Sequence, residues 1–247
     1  MALLPGGMLW DMDDTILTFD AVADISWDQT LHQISSALPN IDSRVLKNAI
    51  KDTARLFWSD PDRHRTGRLH LDRTRQDIVL AALSSLHMPD GNLAATIAAT
   101  YGRIRDEHIR PVPGAVETLR ILQKQNIPLV LVTNGESKAQ REKIRRFHLE
   151  PFFTAICIEE ECGVGKPERE IYERALAALG LPPEDVWMIG DNLIWEVAAP
   201  QKLGIRGIWV DYQRRGLPEG SPVIPYKIVG TAAEIVPLMS LPHSQAQ

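Results

Sequence analysis

Short apolar runs rich in β-branched residues recur through the second half of the chain. PLVLVT (128–133), TAICI (154–158), VWMIG (186–190) and GIWV (207–210) are of this kind, and MLW (8–10) is a fifth run near the N-terminus. Helical spacing lies between them, as at Ile171, Leu176 and Leu179 in the segment that begins at Pro167. Continuous apolar strands separated by helices predict an α/β fold whose parallel sheet is covered on both faces. Residues 20–109 read differently. Trp27, Leu31, Ile34 and Leu38 recur at helical spacing, as do Ile78, Val79, Ala82, Leu83 and Leu86, and again Leu93, Ile97, Tyr101 and Ile104. No strand pattern intervenes, so an all-helical block is inserted after the first strand. Pro111, Pro113 and Gly114 punctuate the return, before a helix expected over 115–125. The expected organisation is therefore a core of residues 1–19 and 110–241 with a helical insert of residues 20–109, and a frayed tail after Leu241.

Composition narrows the function classes. The chain has 247 residues, 44% of them hydrophobic and 24% charged, with a formal net charge of −5. A sequence pI near 5.8 argues against a nucleic acid polymer as partner, whose phosphates call for a basic surface. No apolar run approaches the roughly 20 residues needed to span a bilayer. Pro5, Gly6 and Gly7 interrupt the N-terminus, which has no basic segment ahead of an apolar one and does not read as a signal peptide. The only cysteines, Cys157 and Cys162, lack CxxC spacing and further partners. They exclude a disulfide framework or a cysteine zinc site, and fit buried thiols in a reducing cytoplasm.

The chemistry gathers at the ends of the apolar runs. In MLWDMDDTIL, Asp11, Asp13 and Asp14 follow the first run directly. Side chains two apart on an extended chain point the same way. Asp11 and Asp13 are thus expected on one face and Asp14 away from it, where no chemistry is assigned to it. An acidic turn would explain the triplet without function. A calcium loop does not fit, because Ile16 and Val22 stand where Gly and Glu are needed. PLVLVT ends at Thr133-Asn134-Gly135, either a turn with a helix cap or a phosphate cradle at a helix N-terminus. VWMIG runs into Asp191-Asn192 with Glu196 beyond, and Lys166 sits in GVGKP between glycines and a proline. Taken singly, each has a plain structural explanation.

In this order and at these separations, DMDDT, TNG, GVGKP and GDN-x3-E resemble the four motifs of the haloacid dehalogenase superfamily, and the helical insert resembles its small cap. The resemblance covers nearly the whole chain and implies a Rossmann-like parallel sheet carrying a Mg²⁺-dependent phosphate-ester hydrolase. It makes Asp11 the nucleophile that forms an aspartyl phosphate, and Asp13 the general acid and base. The metal ligands it implies are the Asp11 and Asp191 carboxylates and the main-chain carbonyl of Asp13. Thr133 and Asn134 would donate to the phosphoryl oxygens, and Lys166 would steady Asp11 and the transition state. An acid at Asp13 favours phosphate transfer over carbon–halogen cleavage, since a halide needs no proton. The sequence departs from the pattern at Asp14, where Gly is frequent, at Glu196, where Asp is usual, and at Pro200, which is expected to kink its helix.

Within the insert, DPDRHRTGRLHLDRTR holds Arg63, Arg65, Arg68, Arg73 and Arg75 with His64 and His70. Either some of them bind an anionic or hydroxylated leaving group, or they form a solvated face paired with Asp62 and Asp72. The stretches DDTILTFD and WVDYQRRGLPEG are similar to a branch that includes nucleotide and acylneuraminate phosphatases, which implies a sugar or nucleoside phosphate as the small-molecule partner. A phosphotransferase or mutase would use the same motifs. A non-catalytic scaffold would not need Asp11, Asp13, Lys166 and Asp191 together.

Overall fold

The computed structural model describes residues 4–38 and 41–240; the tail expected to fray lies outside them. The chain divides into two compact units, Met1–Thr18 with Arg110–Gln247, and Phe19–Ile109. It begins with β1 (Gly7–Trp10), then enters five helices: α1 (Ala23–Gln33), α2 (Ser43–Ser59), α3 (Pro61–Gly67), α4 (Leu71–Ser85) and α5 (Gly91–His108). It returns through α6 (Ala115–Lys124), β2 (Leu129–Thr133), α7 (Ser137–Arg146), β3 (Ala155–Ile158), α8 (Glu159–Cys162) and α9 (Arg169–Leu179). The last part is β4 (Val186–Gly190), a π-helix (Leu193–Ala198), α10 (Ala199–Gln201), β5 (Arg206–Val210), β6 (Lys227–Val229) and α11 (Ile235–Ser240).

All five apolar runs are strands of one parallel sheet, ordered β3-β2-β1-β4-β5-β6. Leu9, Val130, Val132, Val186 and Met188 share a buried cluster with Ile171, Tyr172 and Ala175 of α9. Alternation along the strands turns Met8, Trp10, Leu129, Leu131 and Ile189 to the opposite face, where they are equally buried. Both faces are covered, which is why these strands carry no polar alternation. The sixth strand, β6, has no matching apolar run; only Val229 of its three residues is buried. An edge strand with one buried side chain leaves little pattern to read.

In the helical unit Leu31, Leu46, Ile50, Ile78, Val79, Leu83 and Ile97 form one core. Asp42, Asp60 and Asp90 cap α2, α3 and α5, each accepting two backbone N–H groups of the following turn. The basic stretch follows α3 into α4. Arg65 pairs with Asp62 and Arg73 with Asp77, all exposed, while Arg75 is buried and its Nε meets no hydrogen-bond partner. Leading out of and back into the first unit, Thr18 donates its N–H to Arg110 O at 2.9 Å, and Arg110 returns its own N–H to Thr18 Oγ1 at 3.1 Å. Among the described residues no helix is long and apolar enough to cross a membrane.

Where Pro200 is expected to kink its helix, the backbone widens into the π-helix just before it. In that geometry a carbonyl is answered from five residues on, and Pro200 has no N–H to return to Trp195. The hydroxyl of Tyr172 donates to the Trp195 carbonyl instead. The widened turn lies hard against β5, since a Cβ on Gly207 would stand 2.6 Å from the Val197 Cα. Backbone cannot rotate aside as a side chain can. Gly207→Ala is expected to cost about 1–3 kcal/mol of overpacking, read as a lower urea midpoint at unchanged slope; an unchanged midpoint would contradict this packing.

Candidate active site

β1 lies between β2 and β4, and the chain runs outward from it to β3 on one side and β5 on the other. The carboxyl end of β1 is therefore the topological switch point, where open parallel sheets bind ligands. Asp11 and Asp13 follow β1, Thr133 ends β2 and Asp191 follows β4, so three adjacent strands deliver their polar residues to one rim. Asp11 continues the ladder, donating its N–H to Ile189 O at 2.9 Å.

Lys166 joins them from the loop before α9. Its Nζ donates to Asp11 Oδ1 at 2.5 Å and lies 2.8 Å from Glu196 Oε1, with the Lys166 and Glu196 side chains each 1% exposed. Burial alone would lower the ammonium's pKa; the two carboxylates outweigh it and hold the group above the ordinary lysine range. Two devices place this lysine. Asn134 accepts the Lys166 N–H on Oδ1 and donates from Nδ2 to the Lys166 carbonyl, both at 2.7 Å. Gly165 admits the loop, since a Cβ there would fall 2.7 Å from Asn134 Oδ1. Glu196 is placed by the π-helix and crosses Gly190, where a Cβ would meet its Cγ at 2.0 Å. Its second oxygen accepts the Asn192 N–H at 2.7 Å. The residue standing where Asp is usual is thus a partner of Lys166.

Other expectations change. Thr15 Oγ1 donates to Asp11 Oδ2 at 3.1 Å, a contact not foreseen. Asp14, expected to point away from Asp11 and Asp13, lies within electrostatic reach of Asp191. It is buried in the left-handed region at φ 57°, and its charge helps to raise the pKa of Asp191. That backbone favours Gly and tolerates Asp, which accounts for the departure from the motif. The turn after β2 is not an open cradle, because Glu159 accepts the Gly135 N–H and Glu160 that of Ser137. The side chain of Asn134 is engaged with Lys166. Gln140 and Lys143 of α7 went unseen in the sequence. Lys143 Nζ stands 2.6 Å from both oxygens of Asp13, and Gln140 Nε2 reaches Thr133 Oγ1 at 2.7 Å. Their i, i+3 spacing on one helix face was the available signal, but it does not reveal the helix's orientation. Away from the site, Cys157 is buried and its thiol is pushed up to about 11, consistent with an inert core cysteine.

Asp191 lies within electrostatic reach of Glu196, Asp11, Asp14 and Lys166. Burial, then Glu196, Asp11 and Asp14, push Asp191 up to about 9; burial, opposed by Lys166, pushes Glu196 up to about 7. Burial also raises Asp11 against the pull of Lys166. No three acidic, histidine or cysteine side chains among the described residues stand together as a metal cluster. Two carboxylates completed by a main-chain carbonyl would not form one, and surplus anionic oxygen with no soft ligand suits a hard divalent cation.

The fold is a parallel α/β sheet with a lysine between two carboxylates at its switch point, and comparison gives its family. The model of the haloacid dehalogenase-like hydrolases matches residues 6–204; the chain belongs to that family. It is 27% identical over 206 residues to the glyceraldehyde 3-phosphate phosphatase of Pyrococcus furiosus, covering 83% of this chain and 80% of that protein. It is 25% identical to the pyrimidine 5'-nucleotidase PynA of Streptococcus pneumoniae, covering 82% of each. Among solved structures, YfnB of Bacillus subtilis bound to magnesium superposes with a TM-score of 0.72 at 24% identity, over 95% of this chain and 98% of that one.

Removing Glu196 would leave Lys166 with one carboxylate and the Asn192 N–H without its acceptor. Glu196→Ala is expected to cost roughly 1–3 kcal/mol of stability, the penalty for a buried N–H left without its acceptor, since Lys166 keeps Asp11. Denaturant unfolding reads this, and a midpoint equal to wild type would contradict the clamp.

Proposed function

We propose that the protein is a Mg²⁺-dependent phosphomonoesterase acting on small phosphorylated metabolites through a covalent intermediate on Asp11. The observation that carries the reading is the buried Asp11–Lys166 contact at the switch point, with Glu196 on the same ammonium and Asp191 within electrostatic reach. A nucleophilic carboxylate must be held ionised and aimed, and Lys166 with Thr15 does both. The carboxylates of Asp11 and Asp191 and the main-chain carbonyl of Asp13 would hold the cation. Bound there, it neutralises the repulsion between a phosphate dianion and an attacking carboxylate.

The chain's own groups then carry two displacements. An Asp11 oxygen attacks phosphorus as the P–O bond to the leaving group breaks, and the departing oxygen takes the proton of the Asp13 carboxyl group. Water next attacks the aspartyl phosphate and gives its proton to the Asp13 carboxylate, while the Asp11–phosphorus bond breaks and inorganic phosphate leaves. The Thr133 hydroxyl accepts from Gln140, so its own hydrogen is available to a phosphoryl oxygen. Asn134 serves by fixing Lys166, and Lys166 stabilises charge on the transferring group. The helical unit Phe19–Ile109 is read as the family's cap. The printed activities of the two relatives, on a triose phosphate and on pyrimidine nucleotides, support a sugar or nucleoside phosphate as substrate.

Phosphate release from a panel of triose, pentose, hexose, nucleoside and amino-acid phosphates is expected with Mg²⁺ and to be lost with a chelator. Asp11→Asn is expected to reduce every activity to background. Release from no ester, or an Asn variant equal to wild type, would overturn the proposal.

A further inference from the structure

We propose that Lys143 and Gln140 form a positioning pair on α7 that sets the leaving-group acid, Asp13. This rests on the phosphatase reading above. The Asp13 carboxylate belongs to the loop after β1, where only the backbone would otherwise fix it. Lys143 Nζ meets both its oxygens at 2.6 Å, a grip on the ionised carboxylate that defines its plane; when Asp13 carries the proton, one oxygen remains for Lys143 and the other presents the O–H. The Lys143 side chain is 12% exposed and that of Asp13 is 23% exposed, so the contact is largely shielded from water. A lysine fixed at one turn of a helix is an anchor, whereas an exposed ion pair contributes little.

Gln140, one turn earlier, connects that anchor to the end of β2. Its Nε2 stands 3.2 Å from Asp13 Oδ2, 2.7 Å from Thr133 Oγ1 and 2.6 Å from the Asn134 carbonyl. Gln140 is 3% exposed, so its orientation is fixed by packing as well as by these acceptors. The two side chains thereby tie the proton carrier after β1 to the phosphoryl-facing hydroxyl of β2. Their effect on the reaction passes through Asp13 and Thr133, which makes them positioning residues.

Such a role has a signature that loss of folding lacks. An alkyl phosphate needs its leaving oxygen protonated; p-nitrophenolate leaves without help. The ratio kcat/KM reports steps up to departure of the leaving group, so it isolates this proton transfer from the later hydrolysis. In Lys143→Met, kcat/KM for an accepted alkyl phosphate is expected to fall by about 100-fold, the lower range for acid catalysis, while that for p-nitrophenyl phosphate stays near wild type. Hydrolysis of the intermediate also uses Asp13, so the aryl ester is expected to give a burst of p-nitrophenolate followed by a slow steady state. Lys143→Arg, which restores a two-pronged cation, is expected to recover most of the alkyl activity. Gln140→Leu is expected to weaken inhibition by inorganic phosphate, as Thr133 loses the donor that directs its hydroxyl.

Thermal unfolding and Mg²⁺ titration of each variant, alongside the kinetics, separate these effects from damage to the fold or the metal site. An equal fall for alkyl and aryl esters in Lys143→Met, or no fall for either, would overturn the inference while leaving the phosphatase reading standing. Wild-type protein inactive on both esters would overturn both.

Discussion

The contact on which the site depends is a lysine ammonium buried between two carboxylates. Lys166, Asp11 and Glu196 come from three separate segments: a loop, the end of β1 and a π-helix. Each ion alone would cost several kcal/mol to remove from water. Together they are tolerable only if geometry is good and every remaining donor is answered. Much of the surrounding structure meets that condition. Asn134 brackets the Lys166 backbone, Asn192 answers the second oxygen of Glu196, Thr15 answers that of Asp11, and Gly165 and Gly190 leave the space. The widened turn that delivers Glu196 is completed by a tyrosine hydroxyl, because Pro200 has no N–H to give.

This arrangement also bears on Asp191. Burial, and after it the charges of Glu196, Asp11 and Asp14, raise its pKa strongly. Under the proposed function a divalent cation would supply positive charge here and offset the repulsion between these carboxylates and a phosphate dianion. The same carboxylates that would repel an anionic substrate then serve as the handles that attract its metal.

The strands and their order of use were legible because parallel strands buried on both faces are written as plain apolar runs. The residues at their ends could be named from motif order. What could not be read is how side chains answer one another across segments. Asp14 was expected to point away from Asp11 and Asp13, on an alternation that ends at Trp10 where the strand does, and its burial left no pattern to read. Glu196 was unassigned because its role depends on a backbone widened by five-residue hydrogen bonding, which no residue pattern announces. Lys143 and Gln140 carried no reading in the sequence. Their meaning depends on how α7 is rotated against the sheet, a property of packing. β6 left no signal, being an edge strand with one buried residue.

The central claim, that Asp11 is the phosphorylated group, is most directly tested by trapping. Protein mixed with an accepted phosphate ester and Mg²⁺, quenched in acid within one turnover and reduced with borohydride, should yield a peptide in which Asp11 alone is converted to homoserine. Conversion at another carboxylate, or none when phosphate has been released, would contradict the account.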